Sequence, residues 1–352
     1  MVLPMSDAVV ATFAPIAFAA LVAFFIALGV VRAAIAYAHR RGMLDQPGQR
    51  RSHTLPTPRG GGIGIIASVL PTMAACLCYL RPSWPLYAVF TLLLATVLVA
   101  LIGWWDDHRS LPVLPRFGVQ ILAVAIFSIA LLIDGPGWFW LPLLVLAGAW
   151  SINLHNFMDG IDGLLAQQGI FVAGGLAVLA WCAEQVALAG ASLCVAAACL
   201  GFWCYNRSPA RIFMGDVGSG SLGLLVFALS AMLWRVHGQL LWPSLILSSA
   251  FVTDASLTLL NRMLRGRRWY TAHREHLYQW IVRRGGAHAA GTAWYLVWNL
   301  LVAAPLTALA FSRPGMGLVA CIVTYAIATM VWFAAKRRLV RRDRYKVRYV
   351  HT

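Results

Sequence analysis

The chain has 352 residues, of which 61% are hydrophobic and only 11% charged, with a mean hydropathy of +0.74 and a formal net charge of +16. One soluble domain cannot hide that much apolar side chain, but a bundle of helices with lipid as its outer solvent can carry it. A soluble globular enzyme is therefore excluded, and no segment reads as a nucleic-acid-binding domain that would use the positive charge.

The opening "MVLPMSD" lacks a basic stretch, and the apolar run after it continues through "FAALVAFFIALGVV", which predicts a retained membrane helix rather than a cleaved signal. Hydropathy then predicts eleven spans with cores at 10–34, 61–80, 86–104, 117–133, 138–155, 166–183, 186–204, 220–234, 240–260, 291–311 and 316–335. At about 1.5 Å per residue each is near the length needed for a hydrocarbon core of about 30 Å. The expected fold is all-α and polytopic, one transmembrane domain over 1–352 that ends in a basic tail at 336–352. Seven scattered cysteines, none in a C-x-x-C pair, read as small packing hydrophobes.

With eleven spans, all of the 28 Lys and Arg except Arg81, Arg235 and Arg313 fall on one side. The positive-inside rule makes that side cytoplasmic, with the N-terminus periplasmic and the C-terminus cytoplasmic. The tail holds eight Lys and Arg between Lys336 and Arg348 and is expected to rest on anionic headgroups.

The acids gather on the same side, although topology does not call for acids there. "GWWDDHRSL" sets Asp106 and Asp107 side by side at the end of span three, where two carboxylates repel unless a cation or a shared proton offsets them. "NLHNFMDGIDGLL" packs Asn153, His155, Asn156, Asp159 and Asp162 between two apolar flanks. Helix capping accounts for one or two such residues, not five; amide oxygens with carboxylates suit a hard cation such as Mg2+. "RIFMGDVGSGSLG" puts Asp216 in a glycine-rich turn before the next helix, with Phe213 as a ring that could stack or anchor the loop. "TAHREHLYQW" supplies His273, Arg274 and His276, which with Arg267, Arg268, Arg283 and Arg284 form a cationic lobe facing the acids. A metal-binding carboxylate floor under a His and Arg roof suits a diphosphate.

These four stretches, with "PTPRGGG" (Pro56–Gly62) ahead of them, resemble the polyprenyl-phosphate N-acetylhexosamine-1-phosphate transferases, glycosyltransferase family 4. That family includes the phospho-MurNAc-pentapeptide translocase, the enterobacterial GlcNAc-1-phosphate transferase and their dolichol-linked relative. The resemblance implies ten or eleven spans, an active site on the cytoplasmic face and a need for Mg2+, with Mn2+ as a substitute. It places the tandem aspartates on Asp106 and Asp107, and the Asn-x-x-Asn-x-x-Asp-Gly-x-Asp-Gly motif on Asn153, Asn156, Asp159, Gly160, Asp162 and Gly163. Metal ligands fall on Asn156 and Asp216, nucleotide contacts on Asn206 and Phe213, and the cationic motif on His273, Arg274 and His276. Asp106, Asp107, Asp159 and Asp162 are then the expected catalytic carboxylates, and Asn153 and Gly160 join the substrate-binding set. Two departures stand out: Ser110 replaces an acid or lysine of many relatives, and "AHREHLYQ" replaces the translocase's Pro-His-His-His run. The latter looks like the initiators of O-antigen and disfavours a MurNAc-pentapeptide donor.

The resemblance thus implies a bacterial inner-membrane enzyme. It would transfer an N-acetylamino-sugar 1-phosphate from a UDP-sugar to undecaprenyl phosphate and release UMP, starting a surface polysaccharide such as O-antigen. FucNAc and QuiNAc stand slightly ahead of GlcNAc as donor sugars. Membrane lipids are the expected surroundings, nucleic acid is not a partner, and a homodimer is compatible with the sequence. The rival reading, an ion-coupled transporter, predicts acids near the bilayer midplane inside broken spans.

Overall fold

In a computed structural model, described over residues 7–45, 56–80, 84–267, 274–284 and 286–349, every long apolar run is a helix. A backbone in lipid must satisfy its N–H and C=O groups within its own segment, and the helix does this. The elements are α1 (Asp7–Arg41), α2 (Ile63–Tyr79), α3 (Leu86–His108), α4 (Val113–Leu132), α5 (Leu141–Met158), α6 (Leu164–Cys182), α7 (Val186–Asn206) and α8 (Asp216–Val236). There follow α9 (Leu241–Leu247), α10 (Ser249–Leu264), α11 (Leu277–Arg283), α12 (His288–Trp298), α13 (Ala304–Ser312) and α14 (Gly317–Tyr349). Among the described residues, nine helical stretches are long and apolar enough to cross a membrane, or ten if the bent pair α9–α10 is one span. Helix α2, expected as the second span, has 17 residues. The molecule is an all-α, multi-pass membrane protein.

The helices fall into three groups. Helices α1, α2, α6 and α7 pack together, α3, α4 and α5 line the opposite side of α8, and α9 to α14 close the end of the chain. Helix α8 is the axis: 89% of its apolar window is buried, against 28% for α1 and α14. Lipid is as apolar as a leucine side chain, so close backbone approach holds such helices together. The entry to α2 and the first turn of α8 show it: a Cβ on Gly62 would stand 2.2 Å from the Gly218 Cα.

The expected ninth span, 240–260, is not straight. It bends by 71° at Ser248. The next helical pass loosens into a π turn at Asn299–Ala303, just before Pro305, whose missing N–H a regular helix cannot use. Both irregularities are satisfied from inside the bundle. Gln168 of α6 donates to the Leu247 carbonyl at 3.5 Å and accepts from Asn299 at 2.8 Å. Polar groups buried in this way let a helix break at membrane depth.

Polar side chains mark two ends of the bundle. At one, Tyr87 donates to Asp134 at 2.8 Å, and Arg235 reaches the Leu131 and Asp134 carbonyls. At the other, the loops that follow α3, α5 and α7 converge. There β1 (Leu44–Asp45) and β2 (Thr57–Pro58) form a short antiparallel pair. This pair carries Arg59 to the start of α8, with Pro58 accepting from the Phe213 N–H and Gly61 and Gly62 donating to Phe213 and Met214.

Candidate active site

The site is organised around a helix start. Gly215 has φ +74°, and a Cβ there would stand 2.5 Å from Asp107 Oδ2, so the turn requires glycine twice over. The turn opens α8 at Asp216 and leaves its first N–H groups without partners in the helix. Asp107, near the end of α3, supplies them: Oδ1 accepts from Asp216 N and Oδ2 from Val217 N, each at 3.1 Å. Arg59 donates to the same Oδ1 at 2.8 Å. Asp106 turns the other way, where Oδ1 accepts from Leu111 N at 2.7 Å and Oδ2 meets Arg116 at 2.5 Å. Arg116, in the first turn of α4, also reaches Asp216 Oδ2 at 2.8 Å. Each of the tandem carboxylates thus has its own arginine, which offsets their mutual repulsion.

Beside this helix start lies a polar cavity of about 290 Å3. Asn156 reaches it from the last turn of α5, Asp159, Gly160 and Asp162 from the loop that follows, Phe213 from the loop before α8 and Asp216 from the start of α8. Asp45, Arg59, Arg274, Gln279 and His288 complete the wall. Asn156 donates its amide to Ser219 Oγ at 3.1 Å, which leaves its carbonyl oxygen as the atom able to bind a cation. Asp162 accepts from Ala210 N at 3.1 Å and pairs with His288 at 3.0 Å. Burial works against the Asp162 charge, but the His288 ring and the Ala210 N–H hold its carboxyl below the usual range. At Asp159 the balance reverses: burial, and then the charges of Asp216 and Asp107, outweigh Arg59 and the Gly215 N–H and push its carboxyl up to about 7.

Seven expected site residues meet at this cavity: Asn156, Asp159, Gly160, Asp162, Phe213, Asp216 and Arg274. Others do not line it, for reasons their partners show. Asp106 and Asp107 point into the scaffold, and Asp107 is only 7% exposed. Asn153 donates to Gln120 Oε1 at 3.0 Å and to its own helix at Ala149. Asn206, expected against the nucleotide, is a buried clamp that accepts from Gly163 N and donates to the Ile212 carbonyl. His276 is not part of a cationic roof. It is 3% exposed, with its ring stacked on Phe157 and Tyr278, and burial holds its pKa below the usual imidazole value. His273 and Arg268 lie outside the described residues.

The profile of glycosyl transferase family 4 matches residues 89–234, the stretch that holds both aspartate motifs and Asp216. The decaprenyl-phosphate N-acetylglucosaminephosphotransferase of Mycolicibacterium smegmatis is 30% identical over 362 positions, covering 89% of this chain and 86% of that protein. The chain belongs to the polyprenyl-phosphate N-acetylhexosamine-1-phosphate transferases. Two more relatives carry names of the same kind. The probable undecaprenyl-phosphate N-acetylglucosaminyl 1-phosphate transferase of Bacillus subtilis is 29% identical, covering 70% of this chain and 72% of its own. The phospho-N-acetylmuramoyl-pentapeptide-transferase of Halalkalibacterium halodurans is 30% identical over 50% of this chain and 61% of its own.

Several residues on or behind the wall of this transferase's cavity carry no individual role in the sequence. Arg59 lies between prolines and glycines in "PTPRGGG", a stretch with no chemistry of its own until it folds against α8. Arg116 looked like one more positive-inside residue, yet it bridges Asp106 and Asp216. His288 sits beyond the expected His stretch and Gln279 near its end, and only the fold brings them to the cavity beside Asp162 and Gly160.

Proposed function

We propose that this transferase moves an N-acetylamino-sugar 1-phosphate from a UDP-sugar to undecaprenyl phosphate. UMP is released, and a lipid-linked surface polysaccharide such as O-antigen is begun. The carrying observation is the convergence of Asn156, Asp159, Asp162 and Asp216 with Phe213 and Arg274 on one polar cavity at one end of a membrane bundle. In this reading the bundle makes eleven passes in the bacterial inner membrane, and the cavity opens to the cytoplasm, where nucleotide sugars are made.

The donor set fits Mg2+, with Mn2+ as a substitute. Burial, and then the charges of Asp216 and Asp107, lift the Asp159 carboxyl to about 7, and a divalent cation would relieve the repulsion among the three. Among the described residues, no three His, Cys, Asp or Glu side chains form a ready-made metal cage. Mg2+ needs none, because it keeps waters and substrate phosphates in its shell. Asn156 and Asp216 would hold the ion, which when bound draws charge from the diphosphate as UMP leaves.

The chain's own residues do the rest by position and charge, as phosphoryl transfer requires. An oxygen of the lipid phosphate bonds to the sugar-bearing phosphorus. The bond from that phosphorus to the bridging oxygen breaks, and UMP departs with the electron pair. Asp159 keeps the lipid phosphate deprotonated, a role that its place on the cavity favours over Asp106 or Asp107. Arg59 and Arg274 offset charge on the donor, and Phe213 stacks on uracil. The donor carries no peptide: relatives named for N-acetylglucosamine match 89% and 70% of the chain, and the one named for the MurNAc-pentapeptide matches half.

The test is UMP release by detergent-solubilised protein with UDP-GlcNAc, UDP-GalNAc, UDP-FucNAc and UDP-QuiNAc. Release should need both undecaprenyl phosphate and Mg2+. No release with any donor, or release without the lipid, refutes the reading. An ion-coupled transporter is disfavoured because the acids of the two aspartate motifs and Asp216 gather at one end of the bundle, not inside broken spans. Asp254, inside the bent pair α9–α10, is the exception, and protein donors already engage its carboxylate.

A further inference from the structure

Asp254 is 2% exposed in α10, deep in an apolar bundle. A carboxylate there is costly, and a well-packed apolar residue often serves stability as well or better. Its hydrogen bonds show what it does. Thr258 donates to it from α10 at 3.1 Å, Tyr295 from α12 at 2.7 Å and Trp332 from α14 at 2.9 Å. The Leu277 N–H, at the first residue of α11, also donates, 2.9 Å and 3.0 Å from its two oxygens, and the His276 ring nitrogen Nδ1 stands 4.0 Å from Oδ1.

Helix α11 is where this matters. His276 caps it, and the Gln279 side chain accepts from the His276 N–H at 3.2 Å. The next residue, Tyr278, is 1% exposed and donates to the Phe157 carbonyl at 3.0 Å. Its hydroxyl lies 2.1 Å from where a Cβ on Gly160 would be, so it supports the Asp159–Asp162 loop from below. Gln279 donates to that hydroxyl at 3.1 Å and lines the polar cavity, as does Arg274 before the helix. Asp254 itself lines a separate apolar cavity, between α10, α12 and α14.

We infer that Asp254 is a positioning residue for the donor side of the active site: by holding the start of α11 it sets Tyr278 under Gly160 and places Arg274 and Gln279 on the cavity wall. This rests on the proposed function for its kinetic consequence, though not for its structural one. Asp254→Asn keeps the shape but presents an amide to donors that need an acceptor. Thr258→Val removes a bond to the same carboxylate that does not lead to α11.

Two measurements on the full chain in detergent decide it. In hydrogen–deuterium exchange, Asp254→Asn should speed exchange over 274–284 and at Gly160–Asp162 and spare α3 and α8, whereas Thr258→Val should change neither α11 nor the Gly160 loop. In kinetics, Asp254→Asn should raise the donor KM about tenfold and leave the lipid-phosphate KM unchanged. Tyr278→Phe should shift the donor KM the same way, and the double variant should fall short of the sum because both act through one segment. Unchanged exchange over α11 overturns the inference. So does a loss that Thr258→Val shares, or one that falls equally on both substrates. A wild-type protein that releases no UMP would sink the proposed function instead, and the exchange experiment would still decide the role of Asp254.

Discussion

Asp216 begins α8 with its own N–H already bonded to Asp107, so its carboxylate is left to face the cavity. In the proposed function Asp216 is a cation ligand, so Asp216→Asn should spare the fold and lower turnover below about a tenth of wild type, a loss of more than ~1.4 kcal/mol. UMP release beside a melting curve checks it, and turnover above a tenth would show that the ion is held elsewhere. Asp107→Ala should differ in kind. It uncaps α8, at a cost of about 1 kcal/mol, and strips Arg59 of its partner, so the melting temperature should drop along with activity. The Asp159 carboxyl, lifted to about 7 by burial, Asp216 and Asp107, gives a pH signature. If it must be ionised to act, kcat/KM should fall as the pH drops through its pKa, which bound Mg2+ would bring below the metal-free value of about 7, and Asp159→Asn should remove that pH dependence. The folded carboxyl keeps its proton up to about 7, and the unfolded one loses it near the ordinary value. Its contribution to stability is therefore present at acid pH and lost as the pH rises through about 7. The acidic half of this cavity was legible in the sequence, because carboxylates and amides between apolar flanks have no topological excuse. The cationic part was legible only at Arg274: Arg59 on the wall and Arg116 behind it were hidden among arginines that the positive-inside rule already explained.

The helices themselves were legible from hydropathy, since a run of apolar residues in lipid has one way to satisfy its backbone. Their irregularities were not. The bend at Ser248 carries neither proline nor glycine, and the π turn at Asn299 is made tolerable by Gln168, which is 131 positions away in sequence. Such breaks depend on a partner that no local window contains. The junction of α2 with α8 gives the prediction that belongs at this scale. Gly62 and Gly218 touch backbone to backbone, and a Cβ on either meets the other's Cα at 2.2 Å or 2.6 Å. Backbone cannot yield as a side-chain tip can, so Gly62→Ala should push α2 from the start of α8. Packing intrusions of this sort cost about 1–3 kcal/mol. Gly118→Ala, where a Cβ meets nothing within 4 Å, is the control. Thermal unfolding in detergent should show a lower midpoint for Gly62→Ala alone, with lost activity because Arg59 moves with its strand; equal midpoints for both variants would mean the junction has slack.

At the scale of the whole molecule, the bundle has two chemically different ends, and the proposed function requires the acidic one to face the cytoplasm. The Asp106, Asp216 and Arg116 cluster marks one end, and Tyr87, Asp134 and Arg235 mark the other. In the eleven-span reading the basic residues fall overwhelmingly with the first, and the positive-inside rule keeps such loops in the cytoplasm. A site on the wrong face would meet the lipid phosphate and never a UDP-sugar, so sidedness tests the whole reading and not just the topology. Two positions suit a cysteine in a cysteine-free background. Gly238, next to the Arg235 end, has open space around its Cα. Arg265, just after α10, is an exposed side chain beside the loop that leads to Arg274. In intact cells a membrane-impermeant maleimide should label Gly238→Cys and leave Arg265→Cys unmodified; once the inner membrane is opened, both should react. The reverse pattern would place the acidic cavity in the periplasm and overturn the transferase orientation. Labelling of both in intact cells would mean that α9 and α10, bent by 71° at Ser248, form a re-entrant pair rather than a span, bringing the two positions to one face.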